Sequence, residues 1–170
     1  MPLQTKVNRY LAQGVPGAKA TPDQSVYTPV NPLASKALPV GGFVFPVVEE
    51  SVIDNTRATN VAGSATEVLG FAERVINYVN WNLLDDGTLT VPEGAALTVA
   101  VRGDYWAVSS TAATVGQKVL ASTADGSIST GTPDATHLDT GWVVKTPGAA
   151  GEPIIISNWT PLVAAPAASE

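Results

Sequence analysis

Short alternating segments separated by turn residues fill the second half of the sequence, and this spacing constrains the fold most. Residues 88–91 predict a short strand, and residues 92–94, Pro-Glu-Gly, predict a turn because proline presets φ and glycine tolerates positive φ. Leu97, Val99 and Val101 then alternate with polar or small residues. A period of two predicts a strand that buries one face.

The same pattern returns along the rest of this region. Residues 105–108 predict a strand with Trp106 and Val108 on one face and Tyr105 and Ala107 on the other. Asp125-Gly126 is typical of a hairpin turn. Further strands are predicted at residues 116–121, 127–130, 141–145 and 153–158. Turns at this spacing predict an all-β fold of short antiparallel strands, either a compact β-barrel or a jelly-roll-like sandwich.

The first 48 residues differ in composition from the rest. They hold seven of the 13 prolines, and proline interrupts helices and sheet ladders. We expect an extended, Pro-rich N-terminal arm with short strand-like pieces at residues 5–10, 25–30 and 42–45. Its apolar and aromatic residues favour an ordered path, either over its own body or over a neighbouring protein. The predicted organisation is an arm (1–48), a β domain (49–160) and a flexible C-terminal tail (161–170).

The stretch between arm and strand-rich region is less distinctive. A strand is predicted around Val52. Residues 67–81 fit either a helix face or two strands, and we prefer strands at 68–74 and 76–81. Gly70, Asn77, Asn80 and several β-branched residues favour that interpretation.

Charge is sparse and unevenly distributed. Charged residues make up 14% of the chain, and the net charge is −6. Residues 1–48 carry +3 and residues 49–170 carry −9. An acidic body argues against a nucleic-acid binder. A charge-poor surface suits burial against partner proteins, although a Thr- and Ser-rich soluble protein would have the same composition.

Neither a signal peptide nor a membrane-spanning run is predicted. The first ten residues lack an apolar core, and the longest apolar runs fall short of the roughly 20 residues that cross a bilayer. We therefore expect synthesis in a cytoplasm and no membrane partner.

Candidate chemistry is scarce. The sole histidine, His137, has Asp134 and Asp139 nearby, but a solvated loop histidine is the expected role. The chain has no cysteine, no metal-ligand spacing and no phosphate-binding glycine loop. The sequence predicts no catalytic, metal or cofactor-binding residue and no cofactor. The four tryptophans are expected in the core or at a protein interface rather than on a sugar-binding platform.

Several short motifs occur together in a fixed order. They are Met1-Pro2-Leu3-Gln4-Thr5 with Val7-Asn8-Arg9, Gly70-Phe71 with Arg74, residues 90–94, Gly103-Asp104-Tyr105-Trp106, residues 116–119, Thr140-Gly141-Trp142 and residues 154–158. In order and spacing the chain resembles the phage structural cement proteins, which are head decoration proteins of tailed bacteriophages. It departs from that pattern in its longer leader, residues 22–39, and at residues 78–84.

The resemblance implies a non-enzymatic, all-β virion protein on the capsid exterior that stabilises the head against internal DNA pressure. Its partners would be the major capsid protein and other copies of itself, as a dimer or trimer, with no nucleic acid. The predicted partner-binding residues are Gln4, Lys6, Val7, Asn8, Arg9, Tyr10, Leu11, Trp142 and Trp159. Two alternatives are a carbohydrate-binding display module that uses exposed Trp106 or Trp142, and an enzyme centred on His137.

Overall fold

The computed structural model describes residues 14–75 and 90–159, and in these ranges it is all-β with no helix. The strands are β1 (Val26–Tyr27), β2 (Leu33–Ala34), β3 (Leu38–Pro39), β4 (Phe43–Glu49), β5 (Val52–Thr59), β6 (Gly70–Ala72), β7 (Thr90–Val91), β8 (Val99–Arg102), β9 (Asp104–Val108), β10 (Lys118–Ser122), β11 (Ile128–Thr130), β12 (His137–Val144) and β13 (Pro153–Ser157). Nothing in these two ranges is a helix that could cross a membrane. The predicted fold class is confirmed.

The strands form two main sheets and a short ribbon. One sheet has six strands in the order β1-β8-β6-β4-β5-β2, and the other has five in the order β11-β10-β12-β13-β9. Strands β3 and β7 form the ribbon. All strand pairs are antiparallel except β2 with β5. The two sheets pack face to face. A β-bridge between Ser109, just after β9, and Ile128 of β11 joins the two edges of the five-stranded sheet, which is therefore nearly closed.

The six-stranded sheet is buried on both faces near its centre. Phe43 and Phe45 of β4 belong to the core between the sheets, whereas Val44 belongs to a second core shared with Leu38 and Val91 of the ribbon. Strands β6 and β8 divide their residues between the two cores in the same way. A strand covered on both faces is apolar throughout, which explains the unbroken run FVFPVV in β4.

An aromatic cluster occupies the centre of the core between the sheets. Trp142 is 2% exposed, and its ring centroid lies 6.0 Å from Phe43, 5.9 Å from Phe71 and 6.0 Å from Tyr105. The Tyr105 hydroxyl donates a hydrogen bond of 3.1 Å to Oε2 of the buried Glu73. Burial raises the pKa of Tyr105. The prediction that at least one of Trp106 and Trp142 lies in the core is confirmed by Trp142.

The predicted alternation through Val101 is wrong at its last position. Tyr27 pairs with Ala100 and Val26 with Arg102, so Val101 is an extra residue in a β-bulge. Its side chain is 37% exposed, and the adjacent Val99 and Ala100 are both buried. The bulge breaks the period of two, and residue types alone do not reveal where an extra residue falls.

Residues 25–48 of the predicted arm contribute strands to the sheets of the body. The strand-like pieces predicted at 25–30 and 42–45 contain β1 and the start of β4. A boundary between residues 48 and 49 would cut β4. The strand predicted at 68–74 contains β6. Predictions for residues 5–10, 76–81 and 161–170 lie outside the described residues.

Strand β12 begins earlier than predicted. It starts at His137, so this histidine lies in a strand and not in a loop. Val119 pairs with Trp142 and Leu120 with Asp139, which leaves two residues between them in a bulge. Gly141 sits in this bulge at φ 74°, and Thr140 Oγ1 donates a hydrogen bond of 2.7 Å to the Val119 carbonyl. Glycine at 141 therefore marks an irregularity within the strand rather than its start.

The β4–β5 hairpin has a strained two-residue turn. Glu49 pairs with Val52, and the connecting Glu50 and Ser51 have φ values of 49° and 67°. Positive φ at both positions belongs to a type I′ turn, which favours Asn-Gly. Glu50 and Ser51 therefore adopt backbone angles that are unfavourable for residues with a side chain.

The aromatic cluster predicts a large effect of replacing Trp142. Trp142→Ala should lower the free energy of unfolding by about 3–5 kcal/mol, because it empties the centre of the core. Urea denaturation measures the change. Trp159→Ala is the control, since Trp159 is 36% exposed, and it should shift stability by less than about 0.5 kcal/mol. Equal effects of the two substitutions would contradict this core.

The buried pair of Tyr105 and Glu73 predicts a coupled effect. Tyr105→Phe should cost about 1–3 kcal/mol, because a buried carboxylate loses its hydrogen-bond donor. Adding Glu73→Met to Tyr105→Phe should recover much of this loss, because both polar groups are then absent. A double-mutant cycle by thermal unfolding measures the coupling. Purely additive effects would show that the bond contributes nothing.

The hairpin turn predicts a stabilising replacement. Glu50→Asn with Ser51→Gly should raise the free energy of unfolding by about 1 kcal/mol, because both residues tolerate positive φ. Chemical denaturation measures it. Glu93→Asn is the matched control in another exposed turn, at a position without positive φ, and should give no gain. A loss of stability in the double variant would refute the strain at this turn.

Candidate interaction surface

His137 has polar neighbours but lacks the geometry of a catalytic base. Its Nδ1 lies 3.1 Å from Asp134 Oδ1 and 2.9 Å from Thr136 Oγ1. A catalytic triad uses opposite ring nitrogens for the nucleophile and the orienting carboxylate. Here the same nitrogen contacts both groups, so the ring cannot accept the hydroxyl proton on one nitrogen while the carboxylate orients the other.

Asp134 serves as a local turn residue. It accepts hydrogen bonds from the hydroxyl and the amide of Thr136, at 2.7 Å each. These bonds, followed by the contact with His137, lower the pKa of Asp134 to about 2. The described ranges contain no cluster of three or more His, Cys, Asp or Glu residues that could hold a metal ion.

The predicted partner-binding residues are distributed over three locations. Gln4, Lys6, Val7, Asn8, Arg9, Tyr10 and Leu11 lie outside the described residues. Trp142 is enclosed in the core, so its ring offers a partner no surface in this structure. Trp159 is exposed and stays a candidate contact.

Trp159 adjoins an apolar surface at one edge of the six-stranded sheet. The Asn158 side-chain amide donates a hydrogen bond of 2.8 Å to the Val101 carbonyl, which holds Trp159 close to the β8 bulge. Val26 of β1 lies opposite the same bulge. Val26, Val101 and Trp159 are exposed, and we call them the edge patch.

The second apolar surface is the end of the β4–β5 hairpin, residues 49–53, which we call the hairpin tip. Val52 is 67% exposed and Ile53 is 63% exposed, the highest values among the large apolar residues described. They are consecutive in a strand, so they point to opposite faces of the hairpin. Sequence reasoning placed a strand near Val52 but did not identify this surface, because two apolar residues after Glu-Glu-Ser also fit a buried strand.

Acidic groups surround the hairpin tip. Arg57 Nη2 lies 2.7 Å from Glu49 Oε1, and its Nε lies 2.8 Å from Asp54 Oδ2. Hydrogen bonds from Thr56, and then from Arg57, lower the pKa of Asp54 to about 2. Arg57 is thus engaged by two carboxylates, and Glu50 adds a further negative charge at the turn. The tip presents apolar side chains within a negative field.

Residues 17–20 close one edge of the five-stranded sheet. The Gly17 and Ala20 amides donate to the carbonyls of Trp106 and Asp104, at 2.8 and 2.9 Å, and the Trp106 amide donates to Ala18 at 2.9 Å. Lys19 Nζ lies 5.4 Å from the centre of the Tyr27 ring, and its hydrogen bond to Tyr27 raises the pKa of Lys19. Residues 17–20 of the predicted arm therefore lie along β9 of the same chain.

Gly14, just before this segment, lies against Trp106. A Cβ atom at Gly14 would fall 2.1 Å from the Trp106 ring, so the glycine backbone lies directly against that side chain. Trp106 is half-buried, and Trp142 is buried in the core. Stacking of a sugar requires an open ring face, which Trp142 does not offer.

Comparisons with known proteins agree with this fold. Residues 3–158 match the family model described as structural cement protein (E217 gp24/Pam3 gp6). A search of curated protein sequences found no match. The structure is similar to a chain from the capsid of Myoviridae phage XM1, with a TM-score of 0.63 and 16% identity over 95% of this chain and 100% of that chain.

A second similarity is weaker. The N base of head fiber gp8.5 of bacteriophage phi29 has a TM-score of 0.39 and 10% identity over 74% of this chain and 88% of that chain, too low to support an inference. The XM1 likeness shows the fold, and the family match extends over most of the sequence. On that match, the chain belongs to the phage structural cement protein family.

Proposed function

We propose that this protein binds the exterior of a tailed-phage head and stabilises it against the pressure of the packaged DNA. The family match over residues 3–158 carries the proposal. The fold shared with a chain of a phage capsid supports it. The protein would act by contact alone, as an additional layer over the major capsid protein.

The charge of the chain supports an exterior position. The net charge is −6, and packaged DNA is a dense array of phosphates. An acidic body on the inner surface would face electrostatic repulsion from that DNA. On the outside the same charge keeps the particle soluble.

The construction of the body suits a load-bearing role. The six-stranded sheet is packed on both faces, so the surfaces around it are held by a rigid support. The edge patch and the hairpin tip expose apolar side chains on that support. Many copies on a lattice combine modest contacts into strong overall binding through effective concentration.

The experiment uses heads assembled without this protein. Adding the purified full-length chain should raise the temperature at which the heads release DNA, as followed with a DNA-binding dye. Trp159→Ala should weaken head binding by roughly tenfold or more, because exposed tryptophans often dominate interfaces.

The control for this measurement is Val115→Ala. Val115 is exposed but belongs to neither the edge patch nor the hairpin tip, so its replacement should leave binding unchanged. Heads that gain no heat resistance from the full-length protein would refute the proposed function. Equal binding by both variants would instead remove the edge patch from the contact.

A further inference from the structure

Residues 14–21 run along the outside of the body and connect its two sheets. Of these residues only Gly17 is buried, and none of them belongs to either hydrophobic core of the described chain. We propose that residues 14–21 form a strap that detaches from the body as one unit while both sheets stay folded. Detachment is a property of the free protein and needs no contact with a head.

The strap is tied to both sheets by its backbone. On one side Gly17 and Ala20 donate hydrogen bonds to the backbone of β9, and Ala18 accepts one from it. On the other side the Arg74 amide, just after β6, donates a hydrogen bond of 2.8 Å to the Gly17 carbonyl. Because Gly17 takes part in the bonds on both sides, its separation from the body loosens both attachments together. Contiguous segments of this kind open cooperatively.

The side chains of the strap add little to this attachment. Ala18 and Ala20 carry one methyl group each, and Val15 is 47% exposed. The Lys19 ammonium lies over the Tyr27 ring at an exposed position. Since the strap buries little apolar surface, it should open at a lower free energy than either sheet.

The closed strap depends on a close approach between two glycines. Gly17 has φ 85°, and a Cβ atom there would lie 2.9 Å from Arg74 Cβ and 3.2 Å from the Gly41 amide nitrogen. A Cβ atom at Gly41 would in turn lie 2.8 Å from Pro16 Cβ. Any larger residue at position 17 should therefore push the strap away from the body.

Detachment changes both the surface of the body and the path of the chain. The closed strap keeps the outer main-chain groups of β9 paired, and its opening exposes them to solvent. It also removes Gly14 from the half-buried ring of Trp106. The next strand along the chain, β1, begins at Val26. The nine steps from Gly17 to Val26 then become free and can extend over about 30 Å.

Hydrogen exchange of the purified full-length protein, followed by NMR, tests this inference. The reporters are amides that the closed strap keeps hydrogen-bonded: Gly17, Ala20, Arg74 and Trp106. Their opening constants should agree with one another and exceed that of the Ala107 amide by about tenfold or more. Ala107 is the internal control, because it pairs with Ile154 of β13 on the inner side of β9. Low concentrations of urea should accelerate exchange at Ala107 but not at the reporters, since opening of the strap exposes little surface.

Two glycine replacements distinguish opening of the strap from unfolding of the whole protein. Gly17→Ala should accelerate exchange at Ala20 and Trp106 by about tenfold, because it strains only the closed strap. Gly116→Ala is the matched control, since Gly116 has the same φ of 85° but nothing within 4 Å of an added Cβ atom. It should lower the melting temperature and accelerate Ala107. The reporters should be unchanged, because their exchange does not require global unfolding.

Several results would overturn the inference. One is a set of reporters that exchange no faster than Ala107, and another is a set whose opening constants differ from one another by more than about tenfold. A third is Gly17→Ala without faster exchange at the reporters, and a fourth is Gly116→Ala with equal acceleration of the reporters and Ala107. No head takes part in these measurements, so failure here and failure of the proposed function are separate results.

Discussion

The contact between the two main sheets through Trp142 is the interaction on which the rest of the structure depends. Its ring joins Phe43 and Phe71 of the six-stranded sheet to Tyr105 of the five-stranded sheet. Aromatic side chains bury large apolar areas in preferred edge and tilted geometries. In a chain with no cysteine to crosslink it, this cluster holds the layers in register, and both exposed surfaces derive their rigidity from it.

The features predicted correctly from the sequence have local causes. Turn residues such as Asp125-Gly126 have φ preferences that act within a few residues, and the β10–β11 hairpin formed as expected. The faces of Tyr105 and Trp106 follow from the pleat of a single strand. The fold class and these strands could therefore be predicted from patterns alone.

The features that were missed depend on pairing between distant strands. Val101 is exposed because β1 skips it, and β12 extends back to His137 because a bulge at Gly141 lets the strand continue. Trp142 was predicted as core and also as a partner contact. Its burial against the opposing sheet confirms the core role, and the partner contact stays a prediction. The hairpin tip was not predicted, since residue types do not show that β4 and β5 extend beyond the other strands.

The closed edges of the five-stranded sheet determine how copies can meet. Sheets with open edges tend to join edge to edge without limit, which produces fibres. Here residues 17–20 cover β9, and the bridge between Ser109 and Ile128 covers β11. Another copy therefore cannot add a strand at either of these two edges. If copies form an ordered array, side-chain contacts and the surface that carries the copies must set its geometry on this side of the molecule.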